Sequence, residues 1–165
     1  MTTVTFTITS TPMGPFGWLS SPEGVLASGW TTDADYLVAL AGLAGPVEHG
    51  EDDGTAAAVH AFFGGDAGAL DGVTVQQRGG AFITTAWAAL RRIPVGRTRT
   101  YAELAADAGR PAATRAAASA CATNRAALFV PCHRVVRTDG SLGGFRYGLQ
   151  VKRAMLDFER GLGGR

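Results

Sequence analysis

The sequence predicts an α+β chain of two units: a small acidic unit of mixed strands and helices over residues 1–79, and a basic, mostly helical unit with a helix-turn-helix over residues 80–165. Three observations carry this. Charge changes sign along the chain: residues 1–79 hold one basic residue, Arg78, against nine acids, a net of −8, whereas residues 80–165 hold 14 basic residues against five acids, a net of +9. Apolar residues alternate in the first part and recur at helical spacing in the second. Between the two lies a glycine-rich, weakly periodic stretch, 64–80, read as the linker. With 165 residues, 46% of them hydrophobic, the chain can bury one medium core or two small ones. Two cysteines do not make a disulfide scaffold. No stretch approaches the roughly 20 apolar residues of a membrane span, and the start lacks the basic and apolar regions of a secretory signal, so a cytoplasmic address and no membrane partner are expected.

Val4-Thr5-Phe6-Thr7-Ile8 alternates as a half-buried strand, and Thr11-Pro12-Met13-Gly14-Pro15 turns the chain into a second strand at 16–20. Ser21-Pro22-Glu23-Gly24 is another turn and 25–30 a third strand, which makes a meander. Helical pattern follows at 33–43 and 55–63, on either side of the acidic run 48–54. After the linker, 82–90 places Phe82, Ala86, Trp87 and Leu90 on one helix face, ended by Ile93-Pro94-Val95-Gly96. Thr100 and Glu103 have capping-box spacing for a helix at 101–108, which Gly109-Arg110-Pro111 breaks. A further helix at 112–122 completes the helix-turn-helix. Its side chains are almost all small around one arginine, Arg115. Either the helix simply packs closely on its neighbours, or its small face lets the backbone approach a groove while Arg115 enters a duplex. Of the 14 basic residues in this half, 13 are Arg, a side chain suited to planar and bidentate contacts with phosphates and bases.

Phe129-Val130-Pro131-Cys132-His133-Arg134-Val135-Val136 sets a cysteine beside a histidine at the end of an apolar, strand-like run, with proline stiffening the approach. A thiolate is a good nucleophile, and an imidazole can take the thiol proton directly or through water. Two rival readings are weaker. A metal site drawing on Cys121, Cys132, His133 and His49 or His60 lacks the paired ligand spacing usual for zinc. A Cys121–Cys132 disulfide is disfavoured in a reducing compartment.

Pro131-Cys132-His133-Arg134-Val135, with Asn124 eight residues before the cysteine and Gly144-Phe145-Arg146-Tyr147-Gly148 and Lys152 after it, resembles the O6-alkylguanine-DNA alkyltransferases. The likeness is close from Phe82 to Glu159, without gaps from Tyr101, and loose over the first 79 residues. It implies an RNase H-like first domain and a winged-helix-like helix-turn-helix alkyltransferase domain. The implied activity is single-turnover DNA repair: O6-alkylguanine, and O4-alkylthymine too, is flipped from the duplex and its alkyl group passes irreversibly to Cys132. His133 is then the base acting through a water, Glu159 its orienter, Asn124 a bond across the turn before the active-site segment, and Tyr101 the donor that assists departure of guanine. Arg115 becomes the finger filling the gap left by the base, with Thr100, Tyr101, Ala113, Thr114, Ala116 and Ala118 along the DNA face. Val135, Phe145, Arg146, Cys121 and Lys152 are assigned to the substrate pocket, and the backbone carbonyls of Cys132 and Val135 are to accept from the guanine amine. The implied partner is alkylated double-stranded DNA, met through the minor groove with low sequence specificity by a monomer; cooperative packing along DNA stays open. Neither a metal nor a cofactor is expected.

The chain departs from the family's pattern in three places. Asn124-Arg125 stands for a common Asn-Pro, Phe145 for a frequent tyrosine, and Arg146-Tyr147 for small residues. A hydroxyl contact from position 145 is thereby lost. Two other functions compete: a non-catalytic sensor of alkylated DNA, which predicts loss of the nucleophile, and a cysteine hydrolase of unrelated fold, which leaves the arginine-bearing helix-turn-helix unexplained.

Overall fold

A computed structural model describes residues 3–163 of the chain; residues 1, 2, 164 and 165, at the outer ends of the two expected units, lie outside it. The described residues form an α+β structure with six α-helices and a four-stranded mixed sheet. No helix among them is long and apolar enough to cross a membrane.

Strands β1 (Thr5–Thr11), β2 (Gly14–Ser21) and β3 (Gly24–Gly29) form the expected antiparallel meander, and a two-residue strand β4 (Glu48–His49) adds in parallel to β1, giving the order β3-β2-β1-β4. From Phe16 to Ser20 every residue of β2 is buried, which a strand shows only when both sheet faces are covered. Helix α1 (Ala34–Ala41) covers one face through Leu37, clustered with Phe6, Leu19 and Ala27. Helix α2 (Asp53–Phe63) serves the Trp18 face: the Asp52 carboxylate caps it and also accepts a hydrogen bond from Trp18 Nε1 at 3.2 Å.

Two expectations change here. The stretch 64–80, read as a linker, is largely part of the first unit: Leu70 is buried, and Val25 N donates to Thr74 O while Gln76 N donates to Val25 O. The chain divides between Gln77 and Arg78, and Arg125–Phe129, expected in the second unit, belongs to the first. Hydrogen bonds fix that excursion. Ser28 donates its N–H to Arg125 O and its hydroxyl to Ala127 O, and the Phe129 ring meets Phe16 edge to face. Leu128 takes a left-handed φ of 78°, a conformation costing about 1–2 kcal/mol for a branched residue, held here by complete burial.

In the second unit, helix α3 (Ala81–Arg91) buries Ala86, Trp87, Ala89 and Leu90, with Phe82 half-buried under the Arg110 guanidinium. Helix α4 (Tyr101–Asp107) starts at the expected capping box: Thr100 Oγ1 accepts from Glu103 N, and Glu103 accepts from Thr100 N. Helix α5 (Thr114–Thr123) begins two residues later than predicted, and Trp87 Nε1 of α3 donates to its Ala120 O at 2.9 Å. The apolar run ahead of the cysteine is not a strand. Pro131 has no N–H for a ladder, and Cys132–Arg134 forms a single 3₁₀ turn; only β6 (Val135–Val136) is extended, pairing in parallel with β5 (Arg99–Thr100). The closing helix α6 (Leu149–Gly163) is not among the predicted elements.

Thr100→Ala removes the hydroxyl half of the capping box. A loss of about 1 kcal/mol is expected in denaturant unfolding, with Thr100→Ser close to the parent; equal losses in both variants would show that the cap is not what holds α4.

Candidate functional site

The β5–β6 pairing brings two chain segments together: β5 runs straight into Tyr101 at the start of α4, and β6 leaves the turn that carries Cys132 and His133. Cys132 is half-buried, its N–H bonded to Val130 O at 2.8 Å. Asn124, buried at the end of α5, donates Nδ2 to Val130 O at 2.8 Å, so it closes the neck where the chain leaves and returns around 125–129; it also hydrogen-bonds the Cys132 thiol. Burial pushes that thiol up, opposed by Asn124 and by the charges of Lys152 and Arg146. Both cysteines are free thiols, and Cys121 is pushed up strongly by burial and then by the nearby Cys132. Tyr101 is held above its ordinary value by burial and by both cysteines, which keeps its hydroxyl a donor.

His133 and Glu159 are wholly buried, with Nε2 and Oε2 2.8 Å apart. Burial raises the Glu159 carboxyl, but His133 and Arg134 outweigh it and hold the group at about 2. As an ionised carboxylate only accepts, the hydrogen on this bond belongs to Nε2. Burial lowers His133, and Arg134 and Lys152 act in the same sense against the attraction of Glu159. In the neutral ring Nδ1 is therefore an acceptor, and it is buried without a hydrogen-bond partner among the described residues.

Arg134 is the site residue that the sequence reading does not single out. Its Nε donates to Glu159 Oε1 and its Nη2 to Glu159 Oε2, both at 2.9 Å, while Nη1 donates to Ile93 O at 2.7 Å. The available signal is its place directly after His133, with the acid of the same network already assigned at Glu159.

Lys152, assigned to the substrate pocket by the resemblance, meets backbone carbonyls. It is fully buried on α6 and donates Nζ to Val135 O at 2.7 Å, to Leu142 O and, at 3.3 Å, to Gly144 O. It thus fastens the loop 137–148 to α6, and one lone pair of the Val135 carbonyl is engaged. Val135 itself is buried, and the Cys132 carbonyl takes the Val135 N–H. Within the loop, Phe145 and Tyr147 are half-buried and meet edge to face at 5.9 Å. Arg146 is exposed and donates Nη2 to Ala122 O at 2.6 Å, tying the loop to the last turn of α5. Gly143, at φ +74°, sits against Tyr101: a Cβ there would lie 2.7 Å from the hydroxyl.

On α5, Ala117 and Ala120 are buried, Thr114 and Arg115 are exposed, and Ala113, Ala116 and Ala118 are half-buried. Arg115 thus stands on the open side of a helix whose inner side is alanine. Thr100, expected on the same surface, has its hydroxyl in the cap of α4. No group of three or more His, Cys, Asp or Glu among the described residues is placed to hold a metal ion.

His133 and Glu159 are both held below their ordinary values of 6.5 and 4.5, so on acidification the unfolded chain binds each proton first. Their stabilisation is complete above pH 6.5, starts to be lost below it as His133 is drawn into protonation, and falls further from pH 4.5 toward about 2 with Glu159. The urea midpoint should follow that course. Glu159→Gln should abolish the lower decline and cost about 3–5 kcal/mol at pH 7, because Arg134 is left as a buried unpaired charge. An unchanged acid limb in that variant would contradict the assignment.

Residues 81–161 match the family model for the 6-O-methylguanine DNA methyltransferase DNA-binding domain. A probable methylated-DNA–protein-cysteine methyltransferase of Acanthamoeba polyphaga mimivirus is 40% identical over 102 residues, covering 62% of this chain and 68% of that protein. The bifunctional transcriptional activator and DNA repair enzyme Ada of Escherichia coli is 53% identical over 79 residues, which are 48% of this chain; the chain spans only 22% of Ada. In structure, the chain is similar to Mycobacterium tuberculosis OGT crystallised in complex with DNA, with a TM-score of 0.80, 29% identity and coverage of 96% of this chain and 94% of that one. Taken with the joined Cys132, His133, Glu159 and Tyr101 segments, these likenesses establish that the chain belongs to the methylated-DNA–protein-cysteine methyltransferase family.

Proposed function

We propose that this chain repairs DNA by direct reversal, taking the alkyl group of O6-alkylguanine, and of O4-alkylthymine, onto Cys132 in a single turnover. The observation that carries the reading is His133: a buried imidazole next to Cys132 in the chain, its Nε2 locked on Glu159 and its Nδ1 left as an unpartnered acceptor. That is the arrangement of a base held in one tautomer by an orienting acid. The Cys132 thiol gives up its proton toward Nδ1 through a water, and Sγ forms a bond to the alkyl carbon. The bond from that carbon to O6 breaks, with its electron pair passing to the base. Tyr101 gives its hydroxyl proton to the departing guanine and the proton taken up by His133 replaces it through solvent, so the net transfer is one proton from the thiol to the released guanine. The thioether has no second step, and the protein is consumed.

In this reading Asn124 holds the thiol in place, and Val135, Phe145, Arg146 and Cys121 wall the pocket, with Lys152 fastening the loop to α6. The free lone pair of the Val135 carbonyl takes the guanine amine. Arg115 fills the stack behind the flipped base, while Thr100, Ala113, Thr114, Ala116 and Ala118 border the minor groove of a duplex bound with little regard to sequence. The basic second unit is the winged-helix-like DNA-binding and catalytic part, and the acidic first unit is RNase H-like. The protein acts as a cytoplasmic monomer.

Intact mass after incubation with an O6-methylguanine duplex tests this. One methyl group should appear on Cys132, at most one per protein, and none in Cys132→Ala. Turnover beyond one equivalent would point to a hydrolase, and binding without transfer to a sensor. Arg115→Ala should slow repair of duplex DNA far more than reaction with free O6-benzylguanine, since only the duplex requires flipping; equal losses would remove the finger role. Gly143→Ala, which drives a methyl into the Tyr101 hydroxyl, should slow both substrates by at least about tenfold if Tyr101 contributes as a proton donor.

A further inference from the structure

We infer that Arg137 is a DNA-binding residue of this site: its guanidinium takes a phosphate next to the flipped nucleotide and so holds the strand at the rim where the base enters against Tyr101. The inference deepens the repair reading and rests on it.

Several arginines of the second unit are already committed. Arg134 is forked onto Glu159, Arg99 is shared between Asp107 and Glu103, Arg146 donates to Ala122 O, and Arg110 lies over the Phe82 ring. Arg137 is exposed, and its guanidinium makes no hydrogen bond or ion pair among the described residues. The acid two residues on is occupied elsewhere: Asp139 Oδ1 accepts from Ser141 N at 2.9 Å and from the Ser141 hydroxyl at 2.7 Å.

The backbone of Arg137 is nevertheless fixed, and beside the site. Parallel pairing sets Arg99 against Val135 and Thr100 against Val136, so the next residue of each segment, Tyr101 and Arg137, leaves the two strands at the same end. The charge of Arg137 is accordingly felt at Tyr101 and at Lys152. A closed turn pins the main chain: Arg137 N donates to Ser141 O and Gly140 N donates to Arg137 O, both at 2.9 Å. From that turn the loop returns to Tyr101, where Gly143 sits against the hydroxyl. A base that enters against Tyr101 brings its own sugar and phosphate to the rim, because they are covalently joined. An uncommitted guanidinium on a pinned backbone suits that phosphate, since its planar fork can meet two oxygens at once. A phosphate contact positions the strand and carries no sequence information, which agrees with repair at any sequence. The task differs from that of Arg115, which occupies the stack the base has left.

Binding to an O6-methylguanine duplex is measured against salt with the full chain carrying Cys132→Ala as the parent, so that the duplex stays unreacted. Adding Arg137→Gln should flatten the slope of log K against log salt by about 0.9 and weaken binding about eightfold in roughly 0.1 M salt, the counterion release attached to one phosphate. Arg137→Lys, which keeps the charge, should keep the parent's slope. Duplexes in which one phosphate flanking the O6-methylguanine is replaced by an uncharged methylphosphonate then locate the contact. On one of them the parent should lose what Arg137→Gln loses on the natural duplex, and Arg137→Gln should lose nothing further. A parent-like slope in Arg137→Gln, or a loss in that variant that is the same on every duplex, overturns the inference. Methyl transfer by the unsubstituted chain is measured separately: no transfer with these binding results intact fails the repair reading alone, and transfer with a parent-like slope in Arg137→Gln fails this inference alone.

Discussion

Glu159 is a charge in the interior, and the second unit is arranged around making that tolerable. Burying a lone carboxylate costs several kcal/mol even after relaxation, and one partner seldom offsets it. Here each oxygen is held by Arg134 and one of them by His133, so the carboxylate stays ionised. Those bonds link α6, the 3₁₀ turn and, through Ile93 O, the end of α3. The pair that stabilises the unit is the pair that sets the histidine.

The same helix buries a second charge with a different solution. Lys152, Met155, Leu156 and Glu159 occupy the inner stripe of α6 at helical spacing, and Lys152 meets backbone carbonyls where Glu159 meets side chains. Lys152 fastens the loop 137–148, and Glu159, two turns further along α6, holds His133 Nε2. Arg146 fastens that loop again, onto α5, and Tyr101 rests on the bare face of Gly143. The loop 137–148 is thus held at three points, and α5, which carries the exposed Arg115, is one of its anchors. Asn124 ends that helix and closes the excursion of 125–129, so the cysteine's approach is set by a bond across a neck only six residues apart in sequence.

Much of this was legible in residue order. The meander follows from alternation in 4–8 and from the turns at Pro12-Met13 and Pro22-Glu23, and α4 from the Thr100/Glu103 spacing, because these are local rules. The Cys132-His133 pair was legible as chemistry. Helix α6 escaped although its helical period is legible in residue order; what residue order conceals is that Lys152 and Glu159 turn inward beside Met155 and Leu156. Arg134 reads as one more surface arginine in a basic half, and only its fork onto Glu159 reveals it. The excursion 125–129 escaped for another reason: five apolar residues state that they are buried but not against what. The stretch 64–80 reads as a linker because the pairing of Thr74 and Gln76 with Val25 is made by backbone groups, which residue types do not announce.

In the proposed reaction Cys132 is spent beside a network that stays intact around it. A crystal structure of the protein after reaction with an O6-methylguanine duplex decides this. A methyl thioether at Cys132 is expected, with Glu159 still held by His133 Nε2 and by both arms of Arg134. A methyl group on Cys121 or any other residue, or a Glu159 carboxylate released from Arg134, would contradict it.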